Sequence, residues 1–138
     1  MGYKLNMFNL TNKGEKMKTK EIKNFKMNDS VYKLRRSVIN LIYEVKNEIK
    51  NLPRISVRIG EPRHQKTLGV AALKDNKIWI TEDAINMGPD ALRNVVFHEI
   101  VHAVTGFGHD DKCPLMQPTL KTILNKQDCL NTLKKYIN

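Results

Sequence analysis

The sequence predicts an α+β domain built on one small mixed sheet, with helices packed mainly on one side. Three observations predict it. A long stretch carries apolar residues at helical spacing. Three short β-rich stretches follow, bounded by turn residues. A second helical stretch comes next, with glycines at its end. The order is helix, strand, hairpin, helix, irregular segment, helix, with no internal repeat.

The 138 residues suit one domain, and 41% hydrophobic with 28% charged residues is ordinary for a globular chain. Residues 1–29 are Lys- and Asn-rich and show no sustained period, so they read as a basic, flexible N-terminal extension. Residues 30–138 are the expected folded domain. Asp29 or Ser30 can cap a first helix, in which Val31, Leu34, Val38, Leu41, Ile42, Val45 and Ile49 share one face. Leu52-Pro53 ends it, and its stripe should lie against a sheet. Arg54 to Ile59 alternates strictly, so Ile55, Val57 and Ile59 face one way, as a half-buried strand requires. The runs Leu68–Leu73 and Ile78–Thr81 flank Lys74-Asp75-Asn76-Lys77 and read as a hairpin. Gly88-Pro89-Asp90 can start the next helix, which runs to about Thr105, where Gly106 and Gly108 stop it.

That helix contains His98-Glu99-Ile100-Val101-His102. Positions i and i+4 stack on one helix face, so both imidazoles can reach one Zn²⁺ at about 2.0–2.1 Å. Glu99 sits about 100° round the helix, within reach of a zinc-bound water without being a ligand. A carboxylate there can take a proton from the water and return it to a leaving amine. By ordinary residue frequencies such a motif arises by chance in under about 1% of chains this long. The apolar Val95, Val96, Phe97, Ile100 and Val101 supply the faces of a buried helix. A catalytic zinc needs a third protein ligand and an open position. His109 is the expected third ligand, because Gly106 and Gly108 let the chain turn back. Asp110 or Asp111 is the fallback, and His64 reads as an ordinary exposed residue. No Glu follows Glu99, which disfavours a Glu from a later helix as ligand.

Two cysteines, Cys113 and Cys129, make no disulfide framework, though a single local bridge is geometrically conceivable. The net charge is +10, and residues 1–30 carry seven Lys against Glu15, Glu21 and Asp29. A nucleic-acid partner is possible on that charge, but no interleaving of aromatic and basic residues favours it over a solvated surface. No stretch approaches the roughly 18 apolar residues of a membrane span. Met1–Leu10, interrupted by Lys4, Asn6 and Asn9, is no secretory apolar region, so a cytoplasmic protein is expected.

The string HEIVHAVTGFGHDDKCPLMQP resembles the metzincin clan of zinc peptidases, and within it matrixins and archaemetzincins. His98, Glu99 and His102 match the clan motif directly. His109 matches its third ligand, and Met116 resembles the methionine of its Met-turn. One departure is that six residues separate His102 from His109 where the clan has five. The resemblance, over about residues 55–138, implies a zincin/metzincin-like small mixed sheet with a backing helix, an active-site helix and a C-terminal helix around Asp128, Leu133 and Tyr136. It implies one zinc ion held by His98, His102 and His109, with Glu99 catalytic. It also implies an edge strand, Leu68–Leu73, that receives a peptide or protein substrate in extended conformation. The expected function is zinc-dependent endopeptidase chemistry, by Glu-assisted attack of a zinc-bound water. The alternatives are a zinc-dependent RNA-processing hydrolase, which resembles this layout but has Gly where this chain has Glu99, and a non-catalytic zinc-stabilised binding module.

Overall fold

A computed structural model describes residues 4–5, 29–60 and 67–137. In chain order it contains β1 (Lys4–Leu5), α1 (Asp29–Glu48), β2 (Ser56–Gly60), β3 (Thr67–Ala72) and β4 (Lys77–Thr81). Then come α2 (Glu82–Asn86), α3 (Pro89–Thr105), a 3₁₀ turn (Pro114–Met116) and α4 (Lys126–Tyr136). The α+β class is as expected. The backing helix is α1, whose Val38, Leu41, Val45 and Ile49 are buried, as their spacing requires. It packs on β2 and α3.

The body of the sheet is mixed. β2 runs parallel to β4, with Val57 opposite Ile78 and Ile59 opposite Ile80. β3 runs antiparallel to β4, with Gly69 opposite Ile80 and Ala71 opposite Ile78. Opposed residues share a face, so Val57, Ile59, Ile78, Ile80, Gly69 and Ala71 lie on the side that meets α3. The other edge of β3 is taken at its start by β1, which pairs in parallel, Lys4 opposite Thr67 and Leu5 opposite Gly69. The order across the sheet is therefore β1-β3-β4-β2. The edge expected to be free for a peptide is thus partly filled by the chain itself, because an unpaired strand edge is a template for any extended segment nearby. The rest of residues 1–28, and the loop holding His64, lie outside the described residues.

The hairpin turn is tight, with Lys74 and Asn76 in the left-handed region at φ 61° and 56°. It also finishes α3. The amides of Lys74 and Asn76 donate to the carbonyls of His102 and Ala103 at 3.3 and 3.1 Å in the helix's last turn, where the His102 carbonyl also accepts from the Gly106 amide at 2.9 Å. Helix α2 was not expected. Thr81 caps it, its hydroxyl accepting from the Ala84 amide at 3.2 Å and donating to the Leu68 carbonyl at 3.1 Å. The Thr-Glu-Asp start signal was present, but five residues are too few to show a helical period.

Helix α3 starts with Pro89 in its first turn and ends at Gly106, whose φ of 76° suits a residue without Cβ. Every residue from Ala91 to Ala103 is buried, so this helix runs through the middle of the domain rather than over its surface. Polar members of that run are tied. Arg93 binds Glu44 of α1 through Nε at 3.0 Å and Nη2 at 3.2 Å, and Asp90 through Nη1 at 2.9 Å. The Glu44 carboxylate in particular raises its pKa further. Asn94 donates to the Leu124 carbonyl at 2.9 Å and accepts from the Leu124 amide at 3.0 Å, which fixes the segment leading into α4. Asn125 caps α4 by accepting from the Asp128 amide at 2.8 Å. Cys113 and Cys129 are both free thiols, so the conceivable bridge is not made, and burial pushes Cys129 up to about 12. Among the described residues no helix is long and apolar enough to cross a membrane.

Candidate metal centre

His98, Glu99 and His102 project from the middle of α3 and are fully buried. The two rings lie one turn apart, with centroids 4.5 Å apart and their Nε2 atoms 2.9 Å apart. Each ring is oriented from behind by a backbone carbonyl. Nδ1 of His98 lies 2.6 Å from the Leu115 oxygen, and Nδ1 of His102 lies 2.6 Å from the Phe107 oxygen. A carbonyl can only accept, so the hydrogen of each neutral ring belongs on Nδ1. Both Nε2 atoms then present lone pairs to each other. At 2.9 Å two lone pairs repel unless a proton or a metal ion lies between them. Carbonyl-backed imidazoles of this kind are the usual surroundings of a metal-ligating histidine.

His109, exposed on the loop after α3, closes the group. Its ring centroid is 5.2 Å from that of His98 and 4.9 Å from that of His102. One ligand nitrogen from each of the three lies within 4.8 Å of the others. Tetrahedral zinc with nitrogens at about 2.0–2.1 Å separates those nitrogens by about 3.3 Å, so the trio is close to the spread one ion needs. The donor chemistry agrees. Burial, helped by the neighbouring His102, pushes His98 down to about 3, and burial pushes His102 down to about 4. Both are therefore neutral at ordinary pH, the form that binds metal.

Glu99 completes the arrangement. Among the described residues neither of its carboxylate oxygens has a hydrogen-bond partner, and burial raises its pKa well above the usual carboxylate range. An unpartnered buried carboxyl is costly. A divalent cation beside it would offset that cost and hold it ionised.

The loop that carries His109 is knitted to itself. The Asp110 amide donates to the Met116 carbonyl at 2.8 Å, the Cys113 amide to Asp110 at 3.1 Å and the Met116 amide to Cys113 at 3.0 Å. Met116 is fully buried. The Asp110 carboxylate accepts from the Lys112 amide at 2.9 Å. Among the described residues neither Asp110 nor Asp111 joins the histidine cluster, so His109 and not the fallback is the residue brought to the pair. Sequence reasoning missed the two orienting carbonyls, which carry no side-chain signal. It also missed the closeness of Gly69 to Glu99, for which an isolated Gly inside a strand pattern was the available signal.

No curated protein and no solved structure matches the chain. A family model, described as the SprT-like family, matches residues 34–114, over half of the chain and all of the cluster. The more particular likeness to matrixins and archaemetzincins is not what this match supports, and the longer spacer between His102 and His109 was the point at which the chain left that pattern. By this match the chain belongs to the SprT-like family, which is zinc metallopeptidase-like.

Proposed function

We propose that the protein is a zinc-dependent endopeptidase in which His98, His102 and His109 hold one ion and Glu99 handles the proton. The observation that carries this reading is the coincidence of three converging imidazoles with an orphaned carboxyl one residue along the same helix. A zinc ion bound there supplies a Lewis acid that polarises a peptide carbonyl and acidifies water. The protein residues do the rest. The carbonyls of Phe107 and Leu115 keep both helical rings aimed by their Nε2 atoms. Glu99 takes the proton from the attacking water and delivers it to the leaving amine.

The substrate in this reading is an extended peptide along Leu68–Leu73, added as a strand. Pairing of Lys4–Leu5 with Thr67 and Gly69 supports the idea that this edge accepts a strand. A peptide using the whole edge has to displace those two residues. A chain that starts near Ser30 should then bind long peptides more tightly than the full chain.

The test is metal analysis together with cleavage of a mixed peptide library, run beside Glu99→Ala, with structured RNA as a second substrate. The parent should hold about one zinc per chain and cleave peptides. Glu99→Ala should hold the same zinc and lose about 10²–10⁴-fold in rate. Equal cleavage by Glu99→Ala, or cleavage of RNA alone, would remove this reading.

A further inference from the structure

Gly69 stands in the middle of β3, where glycine weakens a strand and packs nothing. Its backbone does not demand glycine, since the positive-φ glycines are Gly88 and Gly106 among the described residues. Its neighbours explain it. A Cβ built on Gly69 would lie 2.8 Å from Oε2 of Glu99, 2.9 Å from its Cγ and 3.2 Å from its Cδ. No ordinary contact is that short, so any side chain there has to move the Glu99 carboxyl. Beside it on the same face the strand carries another small residue, Ala71, so α3 can lie close against it.

We propose that Gly69 is a positioning residue: its missing side chain is the notch that sets where the Glu99 carboxyl stands relative to the three histidines. This rests on the peptidase reading only for its catalytic consequence. The contact itself is independent of it. Among the described residues the carboxyl has no hydrogen-bond partner, and its side chain occupies the space a Cβ on Gly69 would need. A methyl group at residue 69 meets the Glu99 side chain before any other group.

The experiment is a double-mutant cycle of Gly69→Ala and Glu99→Ala. It reads thermal unfolding of the metal-free proteins, zinc binding by titration, and kcat and KM on a peptide that the parent cleaves. Gly69→Ala should lower Tm by about 4–8 °C when Glu99 is present. The same change should leave Tm unchanged or higher in the Glu99→Ala background, where the clash is gone and alanine suits a strand better than glycine. Zinc affinity should stay at the parent's value. The kcat should fall about 100-fold, as for a misplaced reacting group, with KM little changed. If Gly69→Ala fails to fold while the double variant folds, the notch is supported. Equal loss of Tm in both backgrounds, failure of both to fold, or an unchanged kcat would overturn the proposal. A parent that cleaves no peptide while the Tm coupling is present would overturn the peptidase reading and leave the notch standing.

Discussion

Helix α3 and the loop after it both contribute to the three-histidine cluster, but by different means. His98 and His102 are buried in a helix whose whole middle is packed, with Phe97, Val96 and Ile100 fully buried around them. Burying each such apolar side chain is worth roughly 1.5–3 kcal/mol. The core that holds the domain together therefore also holds these two candidate ligands. His109 is exposed, and its loop is held by a few backbone hydrogen bonds and by α4. Yet this same loop region aims the helical rings, through the carbonyls of Phe107 and Leu115. The lesson is that two of the candidate ligands are placed by the packed core, while the third sits on an exposed loop.

Removing ligands is the most forceful way to break that contrast. His98→Ala or His102→Ala should weaken zinc binding by more than the roughly 100-fold that changes around a metal's ligands cost. His109→Ala should also weaken it, but less, because the preset helical pair remains. Isothermal titration with zinc would show the order. Equal losses at His98 and His109 would mean that both regions are equally preset. A gentler probe is the metal itself. Zinc at 100 times its dissociation constant should stabilise the fold by about 2.7 kcal/mol over the chelator-treated protein. Hydrogen exchange should then slow mainly in residues 106–117 and little in residues 91–103. Uniform slowing would contradict the division.

The same division decides what could be read from the sequence. The stripe of α1, the alternation of Ile55, Val57 and Ile59, and the spacing of His98 and His102 were legible because a regular period ties position to direction. His109 was legible as chemistry, and only Gly106 and Gly108 suggested that the chain turns back. What was not legible came from contacts between distant segments. The turn at Lys74–Asn76 caps α3, Arg93 reaches Glu44 across 49 positions, and Lys4–Leu5 take part of an edge expected to be open. None of these leaves a local signature. Their geometry appears only once the sheet and helix are packed.

Acidification separates the buried pair from the rest of the chain more finely. In the unfolded chain His98 and His102 take up protons near pH 6.5, whereas in the folded protein they do so only near 3 and 4. The unfolded state therefore binds more protons below about 6.5, and the stability of the metal-free protein falls as the pH falls. Glu99 acts in the opposite sense. Its raised pKa keeps it protonated in the fold while the unfolded carboxyl is ionised above about 4.5, which penalises the fold at higher pH. Between about 6.5 and 4.5 the two histidines outweigh the one carboxyl, so a net decline is expected. In Glu99→Ala the opposing contribution is absent and the decline should be steeper. Urea titrations at several pH values would measure both slopes. A flat profile in the parent would show that the histidines are not held neutral by burial.

The smallest expected effect tests whether α4 braces the loop that carries His109. The Tyr136 hydroxyl lies beside Cys113 and Asp110; burial, together with these two neighbours, pushes its pKa up, and its ring packs on Phe107 with centroids 6.0 Å apart. Tyr136 lies outside the family match, so α4 braces the His109 loop from a part of the chain that the match does not include. Tyr136→Phe keeps the ring and removes the hydroxyl, which should cost about 1 kcal/mol of stability. As a support behind the ligands it should weaken zinc binding by about 10-fold at most. The titration that ranks His98 and His109 can include this variant. A loss as large as that of His109→Ala would mean that α4 presets the loop as firmly as the core presets α3, and the contrast between the two regions would disappear.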